Sequence, residues 1–182
     1  TLGSGQASTY YGDAGDIVIS QEYVTPKGSF RTREFPAAAT GPKVNDIMKG
    51  SEGTFGILVE VTMKIYRHMP ENRRYFSFMF PTWKAAVNAS REIMQGEFGR
   101  PAIYRISDPE ETDRGLKLYG MPSFVDRYLV KKGYRPMERC LCLGNIEGDG
   151  DYTKLVRRKI MKVCKDHGAM YLTGYAEKKW EK

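Results

Sequence analysis

The stretch Gly50-Ser-Glu-Gly-Thr-Phe-Gly56, followed directly by the alternating run Ile57-Leu-Val-Glu-Val-Thr-Met-Lys-Ile65, decides how this chain is interpreted. Three glycines in seven residues let the backbone approach a ligand, and Ser51, Glu52 and Thr54 surround the opening with polar groups. A Walker loop needs Gly-Lys-Ser/Thr and a Rossmann fingerprint opens a helix, whereas these glycines lead into a strand. The glycine loop, residues 50–56, therefore predicts either a backbone cradle for a ligand or a plain turn before a strand.

The overall composition is that of a globular protein of 182 residues with a formal net charge of +7. No apolar run approaches the ~20 residues that span a bilayer, which argues against a transmembrane segment. The excess charge could attract an anionic substrate or cofactor. The densest cluster of basic residues has the spacing of one side of a helix, so we interpret it as a solvated helix face and expect no nucleic-acid partner. The cluster comprises Lys154, Arg157, Arg158, Lys159, Lys162 and Lys165.

The cysteines and histidines show no pattern of a reactive or metal-binding site. Cys140, Cys142 and Cys164 cannot pair evenly, and Cys-x-Cys lacks zinc or redox spacing. Alternation puts Cys140 and Cys142 on one face of a strand, which predicts buried structural thiols. His68 lies at a turn and His167 near a helix end, and we interpret both as structural. We expect no metal, no catalytic residue, and a cytoplasmic or organellar compartment without disulfides, with peripheral membrane association at most.

The first part of the chain, residues 1–69, predicts an antiparallel sheet with loops. A strand at 16–23 turns through 24–28 into a hairpin. A short helical piece follows at 42–48, and the glycine loop then enters a strand at 57–66. A proline flanked by polar residues at 68–72 marks the boundary of a second part.

Residues 70–182 predict two βαβ steps separated by a helical excursion, which together give a ferredoxin-like α+β sheet. Thr82 is the predicted cap of the first helix, with Trp83, Ala86, Val87, Ser90 and Met94 on one face. Asp108, Glu110 and Glu111 open a later helix, where carboxylates are stabilised by the helix dipole, rather than forming a pair of general acids. Strands are predicted at 74–80, 101–106, 138–143 and 169–173, and helices from 82, at 108–120, at 123–132 and at 152–167.

Several ordered motifs carry a resemblance to a known family. They are Thr1-Leu-Gly-Ser-Gly5, Val24-Thr-Pro-Lys-Gly28, Thr40-Gly-Pro42, Gly50-Ser-Glu-Gly-Thr-Phe-Gly56 and Arg105-Ile-Ser-Asp108. Together they resemble the vanillyl-alcohol oxidase / p-cresol methylhydroxylase (PCMH) family of FAD-linked oxidases, and within it the alkyldihydroxyacetonephosphate synthase branch. The resemblance implies an internal portion of a longer polypeptide. It comprises the end of a PCMH-type FAD-binding domain at 1–69 and the first part of a ferredoxin-like cap domain at 70–182.

The resemblance also implies FAD as the cofactor and names the residues that contact it. The opening segment is similar to a flavin-contacting Thr-Asn-Ala-Ser, from which Leu2 departs and so offers no side-chain hydrogen bond. Arg105 is implied to face a phosphate or carboxylate of the substrate from the cap, as an arginine fork suits such a group. The implied cofactor contacts are Thr1, Leu2, Gly3, Ser4, Glu52, Gly53, Thr54, Phe55, Gly56, Ile57 and Leu58.

Two reactions stay open for such a protein. The synthase branch exchanges an acyl for an alkyl group on a phosphate ester, whereas dehydrogenase relatives oxidise 2-hydroxy acids such as D-lactate or glycolate. Those relatives carry a Glu-Leu-Met-Asp-like stretch where this chain has residues 105–108, which favours the synthase branch and a small anionic substrate. The resemblance is also compatible with a homodimer.

A non-enzymatic basic interaction module built on residues 154–165 is a second alternative. The family's first diphosphate loop is expected upstream of Thr1, and its tyrosine- and histidine-rich motifs downstream of Lys182.

Overall fold

The chain folds into two compact units that meet in sequence between Arg67 and His68. The computed structural model describes residues 3–35 and 37–172. The predicted cofactor contacts Thr1 and Leu2, and the end of the last predicted strand at Thr173, lie outside the described residues.

The first unit is a three-stranded antiparallel sheet in the order β2-β1-β3 with short helices beside it. Its elements are α1 (Ser8–Tyr11), α2 (Ala14–Ile17), β1 (Val18–Thr25), β2 (Gly28–Arg31), α3 (Val44–Met48) and β3 (Ile57–Met63). The predicted hairpin and the strand after the glycine loop are confirmed. The prediction that the first strand begins at 16 is wrong, because Asp13 caps a helical turn there. Its carboxylate accepts hydrogen bonds from the N–H groups of Gly15 and Asp16 at 2.7 and 3.1 Å.

Polar contacts attach α3 to the sheet of the first unit. The side-chain Nε2 of Gln21 donates to Oδ1 of Asn45 at 2.6 Å, and Nδ2 of Asn45 donates to the carbonyl of Val18 at 3.1 Å. The hydroxyl of Tyr23 donates to Oε1 of Gln21 at 2.7 Å. Tyr23 and Met48 are the buried hydrophobic side chains among the described residues of this unit. The first unit therefore has a small core.

The second unit is a four-stranded antiparallel sheet in the order β5-β6-β4-β7. This is the strand order of two βαβ steps, and it confirms the predicted ferredoxin-like α+β fold. A 3-10 turn (Pro70–Asn72) precedes the sheet. The elements are β4 (Arg74–Phe80), α4 (Trp83–Gln95), β5 (Ile103–Ile106), α5 (Pro109–Leu118), α6 (Ser123–Lys131), β6 (Cys140–Ile146), α7 (Gly150–Asp166) and β7 (Met170–Tyr171).

One face of this sheet packs on α4 and α7 and forms the main core. Cys140 and Cys142 lie in it fully buried, as predicted, and the apolar side of α7 is buried as well. Thr82 caps α4 by accepting from the N–H of Ala85 at 3.2 Å. The predicted face of α4 is partly confirmed, because Ala86 is buried and Met94 packs against the core, whereas Trp83 and Val87 are exposed. The helix also buries Ala89 and Ile93, and its alanines let it approach the sheet closely.

Strand β6 was predicted at 138–143 and lies at Cys140–Ile146, so it begins two residues later and continues three residues further, through Gly144. A Cβ at Gly144 would lie 2.4 Å from the carbonyl oxygen of Ile103 and 2.4 Å from the ring of Phe76. Glycine is required here by two neighbours that are distant in sequence.

Candidate functional site

The glycine loop connects α3 to β3 through a turn whose backbone takes unusual conformations. The φ angle is positive at Gly50, Glu52, Gly53 and Gly56, with values of 72°, 49°, 89° and 142°. Glycine adopts such angles without steric cost, whereas Glu52 does so as a non-glycine residue. The local sequence therefore produces a tight, defined loop rather than an extended linker.

Backbone hydrogen bonds within the loop leave a set of donors unused. The N–H groups of Thr54 and Gly56 donate to the carbonyls of Ser51 and Gly53 at 3.0 and 3.3 Å. Within the described residues, the N–H groups of Glu52, Gly53 and Phe55 make no hydrogen bond, and all three residues are exposed. Exposed neighbouring N–H groups of this kind suit phosphate oxygens. The loop therefore offers backbone donors of the kind that bind phosphate, and its assignment to the diphosphate of FAD stays a prediction.

Gly53 and Gly56 differ in what surrounds them, so glycine suits these two positions of the loop for different reasons. A Cβ at Gly56 would lie 2.7 Å from the carbonyl oxygen of Val24, so Gly56 is required for β3 to approach β1. A Cβ at Gly53 would meet no protein atom within 4 Å. The space beside Gly53 is therefore open to a ligand, whereas the space beside Gly56 is filled by the protein.

Apolar residues follow the glycine loop along β3. Ile57 is 71 % exposed and Val59 is 55 % exposed, and Leu58 between them is exposed on the opposite side of the strand. Gly3 and Ser4, the other described residues of the predicted cofactor set, lie before α1. The carbonyl of Gly3 accepts from the N–H of Ala14 at 3.2 Å, and Ser4 is exposed. The assignment of these residues to FAD stays a prediction.

Arg105 lies on β5, where it is paired in register with Leu143 of β6. Its guanidinium forms an ion pair with the carboxylate of Glu111 on α5. Asp108, which the sequence placed beside Arg105, instead caps α5 by accepting from the N–H of Glu111 at 2.8 Å. Glu110 pairs with Arg114 at 2.5 Å within the same helix. The interpretation of these carboxylates as a helix start is confirmed.

A cavity of about 850 Å³ lies beside Arg105, between the second face of the sheet and the helical excursion formed by α5 and α6. Its walls are mainly apolar, with Met79, Leu141 and Leu143 from the sheet and Leu116 and Leu129 from the helices. We call it the excursion cavity. Sequence reasoning missed it, although the helices inserted between two βαβ steps were the available signal.

A buried arginine fixes the helices that wall the excursion cavity. Arg139 reaches Oδ1 of Asp113 on α5 through Nη2 at 2.9 Å and Oδ1 of Asp126 on α6 through Nη1 at 2.7 Å. The second carboxylate oxygen of Asp113 accepts from the N–H of Met137 at 2.6 Å. The side chains of Arg139 and Asp113 are almost entirely buried. This cluster holds both helices to the start of β6.

The remaining titratable groups of the second unit have structural roles. Burial raises the pKa of Cys140 to about 11 and also raises the pKa of Cys164 and of Tyr104, so all three stay protonated in the core. His167 ends α7 and its Nε2 lies 2.8 Å from a carboxylate oxygen of Glu92. Among the described residues, no group of histidines, cysteines and acids is placed to hold a metal. No described helix is long and apolar enough to cross a membrane.

The basic side of α7 was predicted to be solvated. Within the helix, Lys154 pairs with Asp151 at 3.1 Å and Lys162 pairs with Asp166 at 3.4 Å. These lysines, with Arg157 and neighbouring cations, border a shallow groove of about 520 Å³. The intrahelical pairs are those expected of an exposed helix face.

Comparison with known proteins identifies the family. Residues 69–181 match the model of the C-terminal domain of FAD linked oxidases. The alkyldihydroxyacetonephosphate synthase of Dictyostelium discoideum is 30 % identical over 189 residues, which cover 99 % of this chain and 31 % of that protein. A solved structure of an alkyldihydroxyacetonephosphate synthase superposes with a TM-score of 0.85 at 31 % identity, covering 100 % of this chain and 33 % of that one. The chain belongs to the FAD-linked oxidase family.

Family membership confirms several predictions. The fold is the end of a PCMH-type FAD-binding domain followed by a ferredoxin-like cap, the cofactor is FAD, and the chain forms part of an enzyme. The chain spans about a third of the length of the relatives it matches. A weaker similarity links it to a probable mitochondrial D-lactate dehydrogenase of Danio rerio, at 29 % identity over 52 % of this chain and 20 % of that protein.

Proposed function

We propose that the protein is an enzyme of the alkyldihydroxyacetonephosphate synthase type, which exchanges the acyl group of a phosphate ester for an alkyl group. The observation that carries this proposal is the position of Arg105 at an apolar cavity. The similarity to synthases over almost the whole chain supports it.

The excursion cavity suits a substrate with two chemically different ends. Its walls bury apolar surface, which favours an aliphatic chain by roughly 25 cal/mol for each Å² removed from water. Arg105 presents a planar fork of donors that matches a phosphate or carboxylate and carries a permanent charge. A small acid such as D-lactate would use the arginine and leave most of the apolar wall unfilled.

We propose that the glycine loop and the residues after it, Glu52 to Leu58, hold the adenosine and diphosphate side of FAD. The unused N–H groups of Glu52, Gly53 and Phe55 supply donors, and the exposed side chains of Ile57 and Leu58 supply apolar contact. Thr1, Leu2, Gly3 and Ser4 are proposed as the second flavin-contacting segment. The flavin, when bound, carries the redox and electrophilic chemistry, and the protein orients it and excludes water.

Replacement of Arg105 tests the role of the cap. In the full-length enzyme, Arg105→Ala removes charged hydrogen bonds worth about 1.5–3 kcal/mol each. We therefore expect KM for the phosphate ester to rise at least tenfold, with flavin content unchanged. Arg91→Ala, which removes an exposed arginine of α4 outside the described lining of the cavity, is the matched control and should leave KM as it is. Loss of flavin together with a normal KM would contradict the assignment.

The second candidate is a 2-hydroxy acid dehydrogenase, which the similarity to a D-lactate dehydrogenase favours. The two are separated by the flavin absorbance of the full-length protein under anaerobic conditions. Bleaching by D-lactate would indicate the dehydrogenase, whereas turnover of acyl-dihydroxyacetone phosphate without net bleaching would indicate the synthase. Family membership in an enzyme class argues against the basic interaction module. The homodimer stays a prediction, which sedimentation of the full-length protein checks.

A further inference from the structure

The summed charge of the described side chains that line the excursion cavity does not favour the binding of an anion. Its lining includes the guanidiniums of Arg105 and Arg114 and the carboxylates of Asp108, Glu110 and Glu111. Among the described lining residues, carboxylates outnumber guanidiniums by one, so their summed charge is slightly negative. An anionic group that binds at Arg105 must therefore gain its binding free energy from a specific contact with that arginine, and not from the summed electrostatic field of the cavity.

Glu111 already occupies one contact of Arg105. The two side chains form an ion pair while 31 % of Arg105 and 48 % of Glu111 remain exposed. Partly exposed pairs of this kind contribute little net free energy, since water competes with both partners. A phosphate that offers two oxygens to the fork can replace a single carboxylate oxygen. From this geometry we infer that Glu111 is the counter-ion that the anionic end of the substrate displaces from Arg105. It is therefore a specificity-determining residue.

The exchange requires movement of a side chain only. The N–H of Glu111 is held by Oδ1 of Asp108 at 2.8 Å. The next residue, Thr112, accepts through its hydroxyl from the N–H of Leu141 at 2.9 Å, which anchors α5 to β6. The backbone at Glu111 is thus fixed, whereas its carboxylate lies on an exposed, rotatable stem. Displaced from Arg105, that carboxylate turns into solvent.

This inference rests on the proposed function, because it assumes that Arg105 binds the anionic end of the substrate. Glu110 offers a matched control, since it precedes Glu111 in the same helical turn and carries the same charge. It pairs with Arg114 instead, and both partners are well exposed. Glu111→Gln and Glu110→Gln therefore remove equal charge from the same turn, but only the first removes an ion-pair partner of Arg105.

The experiment measures KM for the phosphate ester and the inhibition constant of inorganic phosphate, with full-length enzyme at fixed ionic strength. Glu111→Gln should lower both constants about two- to fivefold without changing kcat, as loss of a competing surface ion pair predicts. Glu110→Gln removes the same charge from the cavity lining but leaves the ion pair of Arg105 in place, so it should lower both constants less than Glu111→Gln does, and flavin content reports that the fold is intact.

Three outcomes separate the inference from the proposed function. Tighter phosphate binding in Glu111→Gln, with weaker binding in Arg105→Ala, supports both. Weaker binding in Arg105→Ala without tighter binding in Glu111→Gln overturns the counter-ion role and leaves the proposed function standing. Unchanged phosphate binding in Arg105→Ala overturns the proposed function and the inference with it.

Discussion

The two units of this chain differ in where they place their apolar residues. In the second unit, three phenylalanines of β4 and the facing sides of α4 and α7 are fully buried in one core. In the first unit, Tyr23 and Met48 are buried among the described residues, whereas Ile57 and Ile65 are 71 % and 88 % exposed. The second unit thus has a large core, although it also exposes Leu118 and Phe124, whereas the first unit has a small core and exposes apolar side chains along β3.

The charged clusters of the two units show the same difference. Arg31 in the first unit lies near Glu22, Glu34 and Glu60, and these side chains are partly or well exposed. Arg139 in the second unit is buried between Asp113 and Asp126. The first cluster is screened by water and salt, whereas the second is not. The comparison therefore predicts that the second unit carries most of the stability of the chain, and it agrees with the proposal that the first unit binds a ligand at its surface.

The largest expected difference comes from equal truncations in the two units. Phe78→Ala removes a fully buried ring from β4 and should lower the free energy of unfolding by about 3–5 kcal/mol. Phe35→Ala removes a ring of the first unit that is 58 % exposed, and should change the free energy of unfolding by less than about 0.5 kcal/mol. Urea unfolding of the full-length protein measures both. Similar losses from the two variants would refute the contrast.

A second pair of variants compares the two arginine clusters. Arg139→Met removes the ionic partner of the buried carboxylate of Asp113, which retains the hydrogen bond from the N–H of Met137, and should cost about 3–5 kcal/mol of stability. Arg31→Met should have little effect on stability, because the ion pairs of Arg31 are exposed to water. Thermal unfolding at low and high salt reports both variants. The double variant Arg139→Met/Asp113→Leu should recover much of the loss, and failure to recover would assign the cost to packing rather than to an unpaired charge.

Local sequence patterns were sufficient for much of the fold. The alternation after Gly56 predicted β3, and the cap at Thr82 and the period of α7 predicted two helices. Each of these signals lies within a few residues of the element it specifies. The strand order of the second unit followed from the sequence of elements, because two βαβ steps have few ways to form one sheet.

The misses share a different cause, which is contact between residues far apart in sequence. Gly144 continues β6 because of Ile103 and Phe76, neither of which a local pattern includes. On α4, Trp83 and Val87 were predicted to share the buried side with Ala86, since hydrophobicity alone does not reveal that Ala89 and Ile93 face the sheet beside Ala86. For the site, the glycine loop and Arg105 were predicted through resemblance, whereas the excursion cavity and the partner Glu111 required the three-dimensional arrangement of α5.

The smallest expected effect tests whether the first unit is shaped for a ligand or for its own packing. In Gly53→Ala the new Cβ meets no protein atom, so the stability cost is the strain at φ 89°, roughly 1–2 kcal/mol. If FAD occupies the open space, its affinity should fall more than this strain explains. Gly56→Ala is the comparison, since its Cβ meets the Val24 carbonyl at 2.7 Å and should lower stability and flavin content together. Titration of the full-length apoprotein with FAD, beside thermal unfolding without FAD, measures both. Unchanged FAD affinity in Gly53→Ala would show that the loop is a turn rather than a cradle.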